Sequence, residues 1–252
     1  KTVQNEKLFT WWDYPVFLVL TCLKCSVIVY FFFYWFSLKD YRDYPFCFSI
    51  MILIFIVVFV NNLGKWFLLL SMRKPRSMTA EPGWNTAVVT TFAPHAESFE
   101  MLEETVKALV ALDYPHDTWI LDEGDDDQVK ALCHKLGAKH FSRKNFPQYQ
   151  TEKGMFRACS KHGNYNAWLY AVGFDRYDII TAFDPDHIPH PEFLSRVLGY
   201  FNDPKVGYVQ AAQAYYNQHA SFIARGAAEE TYAYFSSVQM AAYGMGYPII
   251  VG

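Results

Sequence analysis

The sequence predicts an α/β domain built on a doubly wound, mostly parallel sheet and preceded by a two-helix transmembrane hairpin. Three observations carry this prediction: two long apolar runs in the first 70 residues, an alternation of β-branched and helix-period segments after residue 85, and acidic clusters where strands should end. Of 252 residues, 52% are hydrophobic and 19% aromatic, too apolar a balance for an ordinary soluble domain of this length. Part of the chain therefore meets lipid. A net charge of -3 without a long basic run excludes a nucleic-acid binder, because affinity for phosphate backbones needs clustered Lys and Arg. The five cysteines are scattered, so neither a disulfide framework nor a zinc knuckle follows. Cys22 and Cys25 form a C-x-x-C inside an apolar run, where packing is the better reading than redox or metal chemistry.

The hairpin comes first, within an N-terminal segment spanning residues 1–76. Tyr14 to Phe36 and Pro45 to Leu70 are almost wholly apolar, and each exceeds the roughly 20 residues that span a bilayer. The first run is too long for a cleaved signal peptide, lacks a small-residue cleavage site, and is followed at once by a second span. The link from Ser37 to Tyr44 is short and polar, which makes the two helices an antiparallel pair. Lys1, Lys7, Arg73, Lys74 and Arg76 flank the outer ends against Lys39 and Arg42 in the link, so both ends are expected in the cytosol of an inner or plasma membrane protein. Trp11, Trp12, Trp35 and Trp66 fall near span ends, where amphipathic rings favour the headgroup level. Lys24 lies near the middle of the first span. There an ammonium costs about 2.5 to 3.5 kcal/mol, so it must face protein or water. Packing against a helix outside this chain is the expectation, and a place in a polar translocation path the alternative.

The soluble domain, residues 77–252, opens with a linker containing Pro82 and Gly83. Thr86 to Phe92 is a β-branched apolar run, read as a buried first strand. Glu97 to Leu112 carries Met101, Leu102, Val106, Leu109 and Val110 at helical spacing and stops before Tyr114-Pro115. Thr118 to Leu121 is a strand running into Asp122, Glu123, Gly124, Asp125, Asp126 and Asp127. A helix over Gln128 to Leu136, a short strand around Ala138 to Phe141, a helix over Asn164 to Val172 and a strand over Tyr177 to Phe183 follow. A last strand is expected at Val206 to Gln210 and a helix at Ala227 to Ala242. Strands alternating with helices give a parallel sheet covered on both faces, and ligands bind at the carboxyl ends of its strands.

Both acidic clusters fall at such ends. Asp184 and Asp186, two apart and held by Pro185, can reach one hard cation, although an isolated Asp-x-Asp also caps helices or sits on solvated loops. His187 reads either as a metal or phosphate contact or as a satisfied structural histidine. Asp122 and Glu123 close a strand where a carboxylate can meet a base, a ribose or a metal; a solvated turn is the plain alternative. Asp125, Asp126 and Asp127 read better as an acidic helix start favoured by the helix dipole. Lys161, before a glycine turn that opens a helix, brings an ammonium and helix-terminal amides toward a phosphate.

These pieces occur in a definite order. Thr90-Thr91-Phe92-Ala93-Pro94-His95-Ala96-Glu97, Leu112-Asp113-Tyr114-Pro115, Leu121-Asp122-Glu123-Gly124, Lys161-His162-Gly163-Asn164-Tyr165-Asn166, Phe183-Asp184-Pro185-Asp186-His187-Ile188-Pro189 and Val209-Gln210 together resemble the family 2 glycosyltransferases, in particular the bacterial cellulose-synthase-like branch. The resemblance covers roughly Thr86 to Gly252 and implies a GT-A-type fold. It implies that Glu97 and Asp122 surround the uridine of a UDP-sugar donor, that Glu123 stands where the family usually has a second Asp, and that Lys161 meets the diphosphate. Asp184 and Asp186, with His187 beside them, would hold Mg2+ or Mn2+ on that diphosphate. Thr91, Asn164 and Gln210 fall in matching motifs and join the donor-binding set. The implied activity is inverting transfer from a UDP-sugar, UDP-glucose foremost, to a growing polysaccharide such as a β-glucan. Transfer to a lipid or short acceptor and a non-catalytic nucleotide-sugar-binding role are the alternatives. The family's Thr-Glu-Asp and Gln-x-x-Arg-Trp motifs do not occur here, so the catalytic base is expected beyond Gly252, together with further transmembrane helices or subunits.

Overall fold

The computed structural model describes residues 2–37, 43–94 and 97–250. Lys1 ahead of the first span, Lys39 and Arg42 of the link, His95 and Ala96 of the first motif, and Gly252 lie outside them. Two compact units emerge, one spanning Ser77–Gly207 and the other joining Thr2–Arg76 to Tyr208–Gly252.

In the second unit a short strand, β1 (Asn5–Lys7), precedes helix α1 (Asp13–Ser37), and helix α2 (Pro45–Leu68) runs through a 3-10 turn to Ser71 before strand β2 (Arg73–Pro75). Both helices are long and apolar enough to cross a bilayer. β1 pairs antiparallel with β2 in the register Glu6↔Lys74, which brings the entry to α1 beside the exit from α2. This two-stranded ribbon carried no sequence signal, since three-residue strands are too short to show a period. Phe31 and Trp35 of α1 interleave with Phe48, Phe55 and Phe59 of α2, with Trp35 and Phe55 centroids 4.9 Å apart. Lys24 departs from expectation. Its Nζ donates to Asn62 Oδ1 at 2.7 Å and lies 4.8 Å from the Trp66 ring, while Trp66 Nε1 donates to Thr21 Oγ1 at 2.8 Å. The ammonium thus finds its partners inside the hairpin, and Trp66 faces α1.

In the unit Ser77–Gly207, β3 (Thr86–Phe92) is buried along its whole length, as its β-branched run requires. Helix α3 (Phe99–Val110) starts at Ser98, whose hydroxyl accepts from Met101 N, and buries Leu102, Val106 and Leu109 on one face. β4 (Asp117–Asp122) leads to α4 (Asp127–Leu136), closed by left-handed Gly137, and then β5 (Lys139–Phe141). Helix α5 (Lys161–Trp168) passes through a π turn, Leu169–Gly173, into α6 (Phe174–Arg176), followed by β6 (Ile179–Phe183) and α7 (Phe193–Val197).

The four strands are all parallel in the order β5-β4-β3-β6. Alternation sorts their side chains between two layers. Ala87, Val89, Trp119 and Leu121 pack with Ala167 and Trp168 of α5 on one face. On the other, Val88 packs with Leu109 of α3 and Leu194 of α7, and Ile120 with Leu102 and Val106 of α3 and Val129 and Leu132 of α4. The sheet is therefore doubly wound, as expected.

Val206–Gln210 does not form the expected strand. Val206 N is used in a turn to Asp203 O, Gly207 interrupts the run, and no neighbouring strand offers a ladder among the described residues. The expected helix at Ala227–Ala242 is longer. It begins at Ser221, which caps α8 (Phe222–Ala233), and continues through a π turn into α9 (Gln239–Gly244). Within its unit α9 packs on the end of the hairpin, where Ser71 Oγ donates to Ala241 O at 3.0 Å.

Candidate active site

The carboxyl ends of β3, β4 and β6 gather most of the residues flagged by the sequence. After Phe183 the chain turns through Asp184-Pro185-Asp186-His187, closed by His187 N donating to Asp184 O at 3.0 Å. Thr105, buried on α3, fixes this turn from below by donating its hydroxyl to Pro185 O at 2.6 Å. The turn presents Asp184, Asp186 and His187 with one ligand atom each, all within 4.8 Å of one another. Two carboxylate oxygens and an imidazole nitrogen at that spacing could hold a divalent cation.

Lys161 Nζ forms an ion pair with Asp184 Oδ1. Glu97 is held by Ala93 N, which donates to its carboxylate at 2.9 Å. Burial raises the Glu97 pKa, and the charges of Asp186 and Asp184 add to the rise; the Ala93 hydrogen bond and Lys161 oppose it. Tyr165 is pushed up as well, by burial first and then by Asp184 and Glu97, so its phenol stays protonated. Glu97, Asp184 and Asp186 set three carboxylates against one ammonium. That excess is the charge a divalent cation would balance.

The end of β4 does something different. Asp122 is fully buried, and its carboxylate accepts from Gly124 N at 2.8 Å, Asp126 N at 2.5 Å and His140 Nε2 at 3.1 Å. Gly124 is needed there because a Cβ would lie 2.2 Å from the Pro94 ring. Both oxygens of Glu123 accept from Arg143, the closest contact being Nη2 to Oε1 at 2.7 Å. Arg143 is 1% exposed. It was missed in the sequence because its partner lies 20 residues away and no motif spacing marks it. Asp126 caps α4 by accepting from Gln128 N at 2.7 Å, which matches its reading as a helix start.

Lys161 is itself the first residue of α5, capped by Ser160, whose hydroxyl accepts from Gly163 N at 3.2 Å. The glycine is therefore not a turn ahead of the helix but part of its first turn. A Cβ on Gly163 would lie 2.1 Å from Arg157 O and 2.6 Å from Arg143 Nη1. Gly163→Ala is thus expected to destabilise the protein by about 1 to 3 kcal/mol through overpacking. Thermal melting checks this, and an unchanged midpoint would contradict the packing.

Of the remaining candidates, Thr91 is buried on β3 opposite Leu121. Asn164 is buried on α5, where its Nδ2 donates to Leu121 O at 3.0 Å and its Oδ1 has no protein partner among the described residues. Gln210 belongs to the other unit, and its amide donates to Ala211 O. The structure therefore brings together Glu97, Lys161, Asp184, Asp186 and His187. Asp122, Glu123 and Asn164 shape the strand ends beside them.

Residues 82–250 match the model of a family described as glycosyltransferase like family 2. The beta-monoglucosyldiacylglycerol synthase of Synechocystis sp. is 30% identical over 152 residues, which are 58% of this chain and 30% of that protein. The UDP-forming cellulose synthase catalytic subunit of Pseudomonas fluorescens is 31% identical over 151 residues, again 58% of this chain but 18% of its length. Cellulose synthase 1 of Komagataeibacter xylinus is 28% identical over 151 residues and is covered to 9%. The chain thus spans less than a third of each of these relatives. A parallel sheet with acidic strand ends and a family match over two thirds of the sequence agree: the chain belongs to glycosyltransferase-like family 2.

Proposed function

We propose that the chain forms the donor-binding part of a membrane-embedded, inverting glycosyltransferase that moves a sugar from a UDP-sugar, UDP-glucose foremost, onto a growing β-glucan-like polysaccharide. The observation that carries this reading is the convergence of Asp184, Asp186, His187, Glu97 and Lys161 at the carboxyl ends of parallel strands. Mg2+ or Mn2+ on Asp184 and Asp186 would supply Lewis-acid stabilisation of the departing UDP. The protein's own part is to place charge. Lys161 offers a movable ammonium to the diphosphate and is held in place by Asp184 until the donor arrives. The Thr105 hydroxyl keeps the Asp184–Asp186 turn rigid. The protonated Tyr165 phenol adds no further negative charge. The acceptor hydroxyl needs a carboxylate base for inversion, and no residue of this chain is assigned that part.

A second reading, transfer to a lipid acceptor, is favoured by the Synechocystis relative, whose name is that of a glucolipid synthase. Radiolabelled UDP-sugars supplied to membranes containing the protein separate the two. Label in an insoluble polymer cleaved by β-glucanase supports the first and label in an organic extract the second. No product from any UDP-sugar would sink both.

The proposed topology places both ends of the hairpin, and the unit Ser77–Gly207, in the cytosol. The β1–β2 pairing supports a common side for the two ends, and the flanking Lys and Arg residues favour the cytosol as that side. In an otherwise cysteine-free protein, single cysteines at positions 40–43 should react with an impermeant thiol reagent added outside intact cells. Labelling only after the membrane is opened would reverse the assignment.

A further inference from the structure

The geometry points to Arg143 and Glu123 as a positioning pair that holds the loop over residues 149–160 and thereby sets Lys161 against Asp184. This inference rests on the reading of Lys161 as the donor-diphosphate contact. The Arg143 guanidinium uses its whole fork. Nε and Nη2 donate to Glu123, Nη1 to the carbonyls of Arg157 at 3.0 Å, Tyr149 at 3.3 Å and Phe156 at 3.4 Å, and Nη2 also to Ser160 O at 3.5 Å. Glu123 Oε1 closes the arrangement by accepting from Cys159 N at 3.2 Å. Cys159 adopts φ +52°, a left-handed conformation that a β-carbon disfavours and that its surroundings must enforce. The next two residues are Ser160, the helix cap, and Lys161.

One buried side chain therefore ties together both ends of a loop whose last residues aim the lysine. A buried ion pair contributes little net stability over apolar replacements, whereas its directional bonds fix geometry. Gly163 confirms how close the fit is, since the space a Cβ would take is already filled by Arg143 and Arg157. The pair acts through Lys161 and is not itself a diphosphate contact.

A double-mutant cycle tests this on the full-length protein in nanodiscs, reading UDP affinity in the presence of Mn2+ by calorimetry. Glu123→Asp keeps the charge but draws the carboxylate back by one methylene. It is expected to weaken UDP binding about tenfold, the scale of one lost charge-assisted contact. Amides over 150–161 should exchange faster while β3 and β4 stay protected. Because the effect passes through Lys161, Glu123→Asp added to Lys161→Met should weaken UDP no further than Lys161→Met alone. Should Glu123→Asp fail to fold, Arg143→Lys, which keeps the charge without the fork, takes its place in the cycle. Losses that multiply, or UDP binding untouched by Glu123→Asp, would overturn the positioning role while leaving the donor site intact. If Lys161→Met itself changes nothing, the diphosphate reading fails, and the positioning role with it.

Discussion

Asp186→Ala is expected to abolish metal-dependent UDP binding, while Asp126→Ala leaves it intact. The two aspartates look alike in sequence, each in an acidic run after a strand. Their surroundings differ. Asp186 is exposed beside Asp184 and His187, with ligand atoms within 4.8 Å. Asp126 spends its carboxylate capping α4. Losing even an outer-shell partner costs about 10- to 100-fold in metal affinity, so losing one of two carboxylate ligands should leave the diphosphate charge uncompensated. Asp126→Ala removes a cap and should cost about 0.5 to 2 kcal/mol of stability without touching the donor. UDP titrations with and without Mn2+, alongside thermal melts, read both effects. Equal loss of UDP binding in the two variants would mean that the wrong acidic cluster carries the metal.

If Lys161 meets the donor diphosphate as proposed, Lys161→Met should lower turnover by about 10²-fold as well as weaken the donor, since the ammonium would then face charge that grows on UDP as the bond to the sugar breaks. Lys161→Arg should keep part of the activity, since a guanidinium pairs with phosphate although its planar fork differs from a point charge. The ion pair with Asp184 makes the alternative concrete. If the lysine only neutralises that carboxylate, removing it costs stability and leaves kcat alone. UDP release against donor concentration distinguishes the cases: a raised KM with unchanged kcat would reduce Lys161 to uniform binding.

What the sequence made legible is what is local. β3 and β6 show as β-branched runs, and the Asp184-Pro185-Asp186-His187 turn carries its chemistry within four residues. α3 announces itself through apolar spacing and α4 through its acidic start. The clamp of Arg143 on Glu123 and the bond from Thr105 to Pro185 join residues 20 and 80 positions apart. No periodicity reports such contacts. The sequence does not show the partners of Lys24, because Asn62 and Trp66, on the opposite span, sit in a run whose apolarity hides which face each residue takes. The false strand at Val206–Gln210 came from β-propensity without a partner, since a strand is a property of its neighbour as much as of its own residues.

The proposed metal-dependent UDP-sugar transfer on Asp184 and Asp186 is tested by measuring UDP release by the full-length protein in nanodiscs, supplied with UDP-glucose and other UDP-sugars, in Mg2+ or Mn2+ and again in excess EDTA. Release is expected with at least one UDP-sugar; it should stop in EDTA, return when the metal is restored, and be absent from Asp186→Ala. UDP release that persists undiminished in EDTA and in Asp186→Ala would contradict it.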